Sequence, residues 1–202
     1  MILAKIQLLL ATSAILACAG CKPQPAAPNA VDNAATANIA DADTSATSSD
    51  PIASAMSAAP GSIAGDATIV MANADGSMKT LRAGKNGWTC MPDSPSTPGP
   101  DPMCMDANAA KWAAAWIGHK SPPVGTVGLI YMLEGGTDAS NTDPFATGPT
   151  ADNEWVKTGP HVMVVGSQDL LKGYPSGAKP DTKSPYVMWS GTPYAHLMAP
   201  VG

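Results

Sequence analysis

The sequence predicts an α+β domain with a mainly antiparallel β-sheet and one helix, placed after a disordered N-terminal tether. Short β-rich segments separated by Gly- and Pro-containing turns fill most of residues 66–202, and one alanine-rich segment at about 106–118 interrupts them. Residues 21–65 are rich in Ala, Ser, Thr, Asp, Asn and Pro and contain no aromatic side chain. Such a segment cannot bury enough apolar surface to offset the entropy lost on ordering. We therefore expect a signal peptide at 1–20, a tether at 21–65 and one folded domain at 66–202.

Seven segments of the domain have the pattern of β-strands. A hairpin is predicted first, because the Ala-Asp-Gly turn at 74–76 separates two β-rich runs. The run at 127–133 is strongly apolar, as expected for a buried strand. The predicted strands are 68–72, 78–82, 127–133, 154–157, 161–165, 186–190 and 195–199.

The predicted helix covers residues 106–118. Asp106 can cap the free N–H groups of the first turn, and Gly118 is suited to end the helix. Trp112 and Trp116 are four residues apart and therefore lie on one face. An aromatic pair at this spacing can stack on a ligand, but it more often anchors a helix on a sheet. We therefore predict that the pair packs in the core.

The low charge of the chain argues against some classes of partner. Charged residues make up 13% of the sequence, and the net charge is -5. The sequence has no cluster of Lys and Arg, which binding to a phosphate backbone requires. We expect no nucleic-acid partner and no electrostatic docking to anionic lipid.

The first twenty residues have the features of a secretory signal peptide. Lys5 precedes a nearly continuous apolar run at 6–19, which is too short to span a bilayer and has the length of a signal h-region. The end of this run, "ILACAGC", resembles the lipobox of bacterial lipoproteins, in which small residues precede a cysteine that is lipid-modified and becomes the new N-terminus. The resemblance implies export and a membrane contact through an N-terminal lipid anchor. A plain signal peptide cut near Ala19 is the alternative.

Two cysteines compete for the lipid. Cys18 is preceded by Ile, Leu and Ala, which fit the lipobox pattern better than the residues before Cys21. Lipidation of Cys21 instead leaves no unpaired thiol in the mature chain. Neither cysteine is followed by Asp, the residue that retains some lipoproteins at the inner membrane. The resemblance therefore implies an outer-membrane anchor facing the periplasm, with Cys18 and Cys21 both open as the attachment site.

The two remaining cysteines, Cys90 and Cys104, bracket a Pro-rich loop. In an exported protein they are expected to form a disulfide, which closes a loop of about 15 residues. A catalytic thiol or a metal site is the alternative, but there is no Cys-x-x-Cys spacing and no nearby histidine.

Two histidine and methionine pairs give the sharpest candidate site. His161 with Met163 and His196 with Met198 are each two residues apart in predicted strands, so each pair presents an imidazole and a thioether on one face. These ligand types suit copper. The alternative is that the methionines fill the core and the histidines bond to backbone or water at strand ends.

Other chemistry has less support in the sequence. Asp138, Ser140, Asn141 and Asp143 lie within six residues, which suggests a cation site, but the spacing is not that of an EF-hand and these residues are also common in turns. None of the usual enzyme motifs is present, and the sequence contains only three histidines. We lean away from an enzyme without excluding one of an unidentified class.

The stretches "NGWTC", "PDPMC", "PHVMVVG" and "PYAHLM" resemble those of exported bacterial proteins without an assigned activity. That resemblance transfers no role to any residue. The sequence therefore predicts a membrane-anchored periplasmic lipoprotein that acts as a binding or envelope-interaction module for a protein or small-molecule ligand of unknown identity. A periplasmic copper-binding protein is the alternative.

Overall fold

The structure is a computed structural model that describes residues 50–202. Within this range a large, mainly antiparallel β-sheet and a few short helices confirm the predicted α+β class. The predicted signal peptide, the lipobox cysteines Cys18 and Cys21, and residues 21–49 of the predicted tether lie outside the described residues.

Residues 50–202 contain three α-helices, one 3-10 helix and ten strands. The helices are α1 Pro51–Ser57, α2 Gly61–Ala64, α3 Ala107–Ile117 and the 3-10 helix Gln168–Leu171. The strands are β1 Thr68–Ala72, β2 Met78–Arg82, β3 Thr89–Met91, β4 Met103–Met105, β5 Gly128–Met132, β6 Ala139–Ser140, β7 Trp155–Val156, β8 His161–Val165, β9 Tyr186–Met188 and β10 His196–Pro200. None of the helices in residues 50–202 is both long and apolar enough to cross a membrane.

Eight of the strands form one sheet in the order β2-β1-β3-β4-β5-β8-β10-β9. Neighbouring strands are antiparallel except for β1 and β3, which are parallel. The predicted strand at 154–157 is present only as Trp155–Val156, and it pairs with Ala139–Ser140 outside this sheet. Strands β3 and β4 have no counterpart in the sequence prediction, because the prolines between them obscure the β-pattern at both ends of the loop.

The strand register divides the sheet into two faces that different helices cover. On the face beneath α3, Met105, Ile130, Met163, Met198 and Tyr186 are direct neighbours across five strands. These side chains form one core cluster with α3 and its tryptophans. The disulfide and Ile69 belong to a second cluster, which α1 and α2 cover. We call the first surface the α3 face.

The first two helices correct the predicted boundary of the tether. The sequence predicts disorder up to residue 65, but Ala55, Ala58 and Ala64 are fully buried in the second cluster. The guanidinium of Arg82 on β2 also donates hydrogen bonds to the carbonyls of Ala64 and Ala67, at 2.6 and 3.1 Å. Alanine lacks the bulk of a typical apolar stripe, yet its small side chain lets a helix backbone approach a sheet closely. The folded domain therefore includes residues 51–64.

The predicted helix is confirmed as α3. One oxygen of the Asp106 carboxylate accepts hydrogen bonds from the first-turn N–H groups of Asn108 and Ala109, and the other accepts one from Leu129 of β5, so a single side chain fixes the helix to the sheet. The helix lies very close to β5 at Gly128, where a Cβ atom would be 2.3 Å from the backbone nitrogen of Ala109. This close approach determines how deeply the α3 tryptophans sit over the sheet.

The predicted disulfide between Cys90 and Cys104 is present. The two residues are direct partners in the β3 and β4 pair, and both are fully buried. The bond leaves neither sulfur as a free thiol, so it acts as a structural link between two central strands.

Candidate functional site

A cavity with a volume of about 620 Å³ lies between α3 and the α3 face. Trp112 and Trp116 of α3 form one wall, and strands β5, β8, β9 and β10 supply the other. The loop between β3 and β4 and the loop after β5 complete it. This is the volume of a small-molecule site, which typically holds about 300–1,000 Å³.

All four residues of the predicted metal site line this cavity: His161, Met163, His196 and Met198. Strands β8 and β10 are neighbours, and Met163 lies directly opposite Met198 in their register. Cα atoms of directly opposed residues are about 5 Å apart. The two methionines therefore occupy adjacent positions on neighbouring strands and form a cross-strand pair.

The two histidines lie at opposite ends of this pair. His161 begins β8 and His196 begins β10, and because the strands are antiparallel, four residues separate their positions along the sheet. That offset corresponds to about 13 Å between their backbones. The cavity therefore has two separate imidazoles, each at the edge of a shared methionine pair.

Both imidazoles are held in the same tautomer. Nδ1 of His161 is 2.7 Å from the carbonyl oxygen of Gly159, and Nδ1 of His196 is 3.0 Å from that of Tyr194. Since a carbonyl oxygen only accepts hydrogen bonds, each Nδ1 carries the proton and each Nε2 keeps its lone pair. Nε2 of His196 is buried and has no hydrogen-bond partner among residues 50–202.

Burial keeps both histidines neutral. It lowers the pKa of His161, and it lowers the pKa of His196 to about 4, the latter because the side chain is fully removed from water. A neutral imidazole with a free Nε2 is the form that accepts a hydrogen bond or binds a metal ion.

Acidification is expected to destabilise the ligand-free domain through His196. Its pKa falls from 6.5 in the unfolded chain to about 4 in the fold, so between these values only the unfolded state binds the proton. Stability is therefore complete above about pH 6.5 and decreases as the pH falls, by about 2 kcal/mol between pH 7.5 and 5. The lowered pKa of His161 acts in the same direction. Urea unfolding of the wild type and of His196→Gln across this range checks the prediction, and equal pH slopes for the two proteins would contradict it.

Four tryptophans line the cavity, and three of them, Trp112, Trp116 and Trp189, form one cluster. The rings of Trp112 and Trp189 are nearly parallel, with centroids 6.2 Å apart, and Trp116 lies 5.0 Å from Trp189. The His196 ring is nearly perpendicular to two of these rings, with its centroid 5.4 Å from that of Trp112 and 4.8 Å from that of Trp189. Trp112 and Trp116 pack in the core, as the sequence predicts, but both tryptophans also line the cavity.

The three indole N–H groups differ in their partners. The group of Trp116 donates to the carbonyl of Pro144, at 3.0 Å, and that of Trp189 donates to the carbonyl of Ser140, at 2.8 Å. The buried indole nitrogen of Trp112 has no partner among residues 50–202. Since buried polar groups are normally hydrogen-bonded, the free donor of Trp112 and the free acceptor of His196 indicate a ligand or a water molecule.

Trp189 has a left-handed backbone, with φ of 56°. This conformation is unfavourable for a bulky residue, and β9 ends two residues earlier than the predicted strand. The backbone N–H of Trp189 donates to the carbonyl of Asn141, at 2.9 Å, which holds the residue in place. The strained turn places the indole against the other two tryptophans.

The charge of the lining limits which ligands fit. Three aspartates, Asp101, Asp138 and Asp143, line the cavity, and no Lys or Arg is among its lining residues. Burial is the main reason why the pKa of Asp101 is raised. An anionic ligand would therefore meet carboxylates without a compensating cation, whereas a neutral or cationic ligand would not.

The polar loop after β5 uses its side chains for its own structure. The Ser140 hydroxyl donates to the carbonyl of Asn153, and the Asn141 amide donates to the carbonyls of Gly177 and Ala178. No group of three or more His, Cys, Asp or Glu side chains within residues 50–202 is arranged to hold a metal ion. The hydrogen bonds account for Ser140 and for the amide nitrogen of Asn141, whereas the side-chain oxygen of Asn141 is buried without a partner among residues 50–202.

The sequence prediction did not include three important residues of the site. Met132 pairs with His161 across β5 and β8, Met188 pairs with His196 across β9 and β10, and Trp189 follows Met188. The two methionines have the period-2 pattern of strands, but only the strand order shows which histidine each one faces. Trp189 could not be found because its position depends on the left-handed turn.

Comparisons of the chain with protein-family models, with curated proteins and with solved structures find no match. The chemical character of the cavity is therefore the basis for assigning a role. That character is a ligand-sized space lined by indoles, thioethers and two neutral imidazoles, with aspartates as its only charged residues.

Proposed function

We propose that the protein is a binding module of the bacterial cell envelope, and that the cavity beneath α3 holds a small, largely apolar ligand. The observation that carries this proposal is the pair of unsatisfied buried ring nitrogens, on Trp112 and His196, in side chains that line a cavity of about 620 Å³. A large apolar cavity with a few polar groups and a strongly perturbed pKa is the usual form of a binding site.

The two nitrogens specify the polar part of the ligand. The indole of Trp112 can only donate a hydrogen bond, and Nε2 of His196 can only accept one in the tautomer that its Nδ1 hydrogen bond selects. A hydroxyl group can serve either nitrogen, since it accepts and donates. The apolar part of such a ligand would contact the tryptophans and methionines, and the absence of basic lining residues favours a neutral molecule over an anion.

Location in the envelope rests on two features. The lipobox-like N-terminus implies export and a lipid anchor at Cys18 or Cys21. The disulfide between Cys90 and Cys104 supports an oxidising compartment, where such bonds persist. Intact-mass spectrometry of protein extracted from membranes tests the anchor: a mature chain that begins at either cysteine and carries acyl groups supports it, and an unacylated mature chain contradicts it.

p-Cresol is a suitable probe of the cavity because it is a small, neutral phenol with one hydroxyl group. We expect its binding to shift the indole N–H signals of Trp112, Trp116 and Trp189 in a ¹H–¹⁵N spectrum and to raise the melting temperature. Trp88 packs on Tyr131 in the second cluster, so its signal is an internal control. Toluene, which lacks the hydroxyl, is expected to bind up to about tenfold more weakly.

Two variants on α3 distinguish p-cresol binding in the cavity from binding at other places on the protein. Ala113 lines the cavity, whereas its neighbour Ala114 is exposed. Ala113→Phe is expected to fill the cavity and abolish p-cresol binding, and Ala114→Phe is expected to preserve it. If p-cresol, indole and toluene all leave the three indole signals unchanged at millimolar concentrations, the proposed function is wrong.

A further inference from the structure

Five methionines line the cavity, and four of them lie on strands β5, β8, β9 and β10. They are Met103, Met132, Met163, Met188 and Met198. Methionine is a common core filler, but here the thioethers face an open volume together with two neutral imidazoles. The lining side chains include no cysteine, lysine or arginine. Thioether sulfur and imidazole nitrogen together are suitable ligands for a soft metal ion.

We propose that this cavity binds a soft monovalent metal ion, Cu(I), through His161, Met132, Met163 and Met198. The proposal rests on the proposed function, since it names one ligand of the same cavity. The four side chains come from three adjacent strands, in which His161 is paired with Met132 and Met163 is paired with Met198. His161 and Met163 are two residues apart on one strand, so all four donors belong to one small area of the α3 face.

Two local contacts bring these side chains together around His161. A Cβ atom on Gly136 would lie 3.3 Å from Cε1 of His161 and 3.5 Å from the terminal methyl carbon of Met132, so the ends of both side chains meet at this glycine. His161 and Met198 also border one void of about 10 Å³, which is the space of a single water molecule. Met163, opposite Met198 in the register, completes the set.

The imidazole of His161 is prepared for a metal bond. Its Nδ1–H donates to the carbonyl oxygen of Gly159 at 2.7 Å, which fixes the ring and leaves Nε2 as the free donor atom. A hydrogen bond from the second ring nitrogen is the usual support of a metal-binding histidine. His196 has the same arrangement, but it lies at the other end of the methionine pair, and its backbone is about 13 Å from that of His161.

Competition with a Cu(I) chelator under anaerobic reducing conditions tests the proposal. One Cu(I) per chain is expected to bind, and Met163→Leu and Met198→Leu are each expected to weaken the affinity at least tenfold. Leucine has a similar volume, so these changes should preserve the fold. Met71→Leu on β1, outside the cavity lining, is the matched control and is expected to bind as the wild type does.

A spectroscopic readout separates coordination from a general loss of structure. In protein with ¹³C-labelled methionine methyl groups, Ag(I), a redox-stable substitute for Cu(I), is expected to shift the signals of Met132, Met163 and Met198 and to leave that of Met71 unchanged. Binding of p-cresol without any effect of Cu(I) or Ag(I) would overturn the metal proposal and leave the proposed function intact. If neither p-cresol nor Cu(I) nor Ag(I) binds, both proposals are wrong.

Discussion

Replacing Gly128 with alanine is expected to be strongly destabilising, with a loss of about 3 kcal/mol or more in the free energy of unfolding. The new methyl carbon would lie 2.3 Å from the backbone nitrogen and 2.6 Å from the Cα atom of Ala109 in α3. Both contacts are with backbone, so no side-chain rotation relieves them. Relief requires α3 to move away from β5, which would also widen the cavity and expose Trp112.

Urea unfolding and near-ultraviolet circular dichroism measure the two consequences of Gly128→Ala. Gly177→Ala is the control, because a Cβ atom on Gly177 would contact nothing within 4 Å. We expect the control to retain the wild-type stability and aromatic signal. A Gly128→Ala protein with the same unfolding midpoint and the same aromatic signal would show that α3 does not pack on β5 as described.

Removal of the disulfide is expected to have an effect of similar size. For a closed loop of about 15 residues the loss is about 3 kcal/mol, mainly through the greater freedom of the unfolded chain. Both cysteines are fully buried between β3 and β4, beneath α1 and α2. The Cys90→Ala, Cys104→Ala double variant should therefore unfold at a clearly lower urea concentration than the oxidised wild type.

Reduction provides an independent test of the same bond. A reductant such as dithiothreitol is expected to lower the unfolding midpoint of the wild type and to leave that of the double variant unchanged. If the wild type unfolds at the same urea concentration with and without reductant, the bond contributes no stability and this prediction fails.

Much of the fold could be predicted because its signals are local. The helix at Ala107–Ile117 has an N-cap residue and a terminal glycine within its own sequence. Strands such as β1, β2 and β8 have the composition and bounding turns of strands. These elements depend on residues a few positions apart, which the sequence displays directly.

The errors in the fold arise where small residues or long-range contacts decide the structure. Helix α1 looks like part of a polar linker, because its buried surface consists of alanine and serine. That surface is buried because it packs against the sheet and the disulfide, which are distant in the sequence. Strands β3 and β4 are similarly hidden, since a three-residue strand beside a Pro-rich loop has too little pattern of its own.

The candidate site could be predicted only in part. The spacing of two residues correctly places His161 beside Met163 and His196 beside Met198 on one face. The sequence does not reveal that the two methionines are opposed or that the histidines lie at opposite ends. Those facts follow from the order β5-β8-β10-β9, which brings together strands far apart in the chain.

The central claim, that the cavity beneath α3 is a binding site, is tested most directly by locating p-cresol on the protein. Nuclear Overhauser effects between the probe and ¹³C-labelled methionine methyl groups give this location. The claim predicts contacts from p-cresol to Met163 and Met198, which line the cavity from adjacent strands. Contacts only to Met71 or Met78 of β1 and β2, or no contact with any methionine, would contradict it.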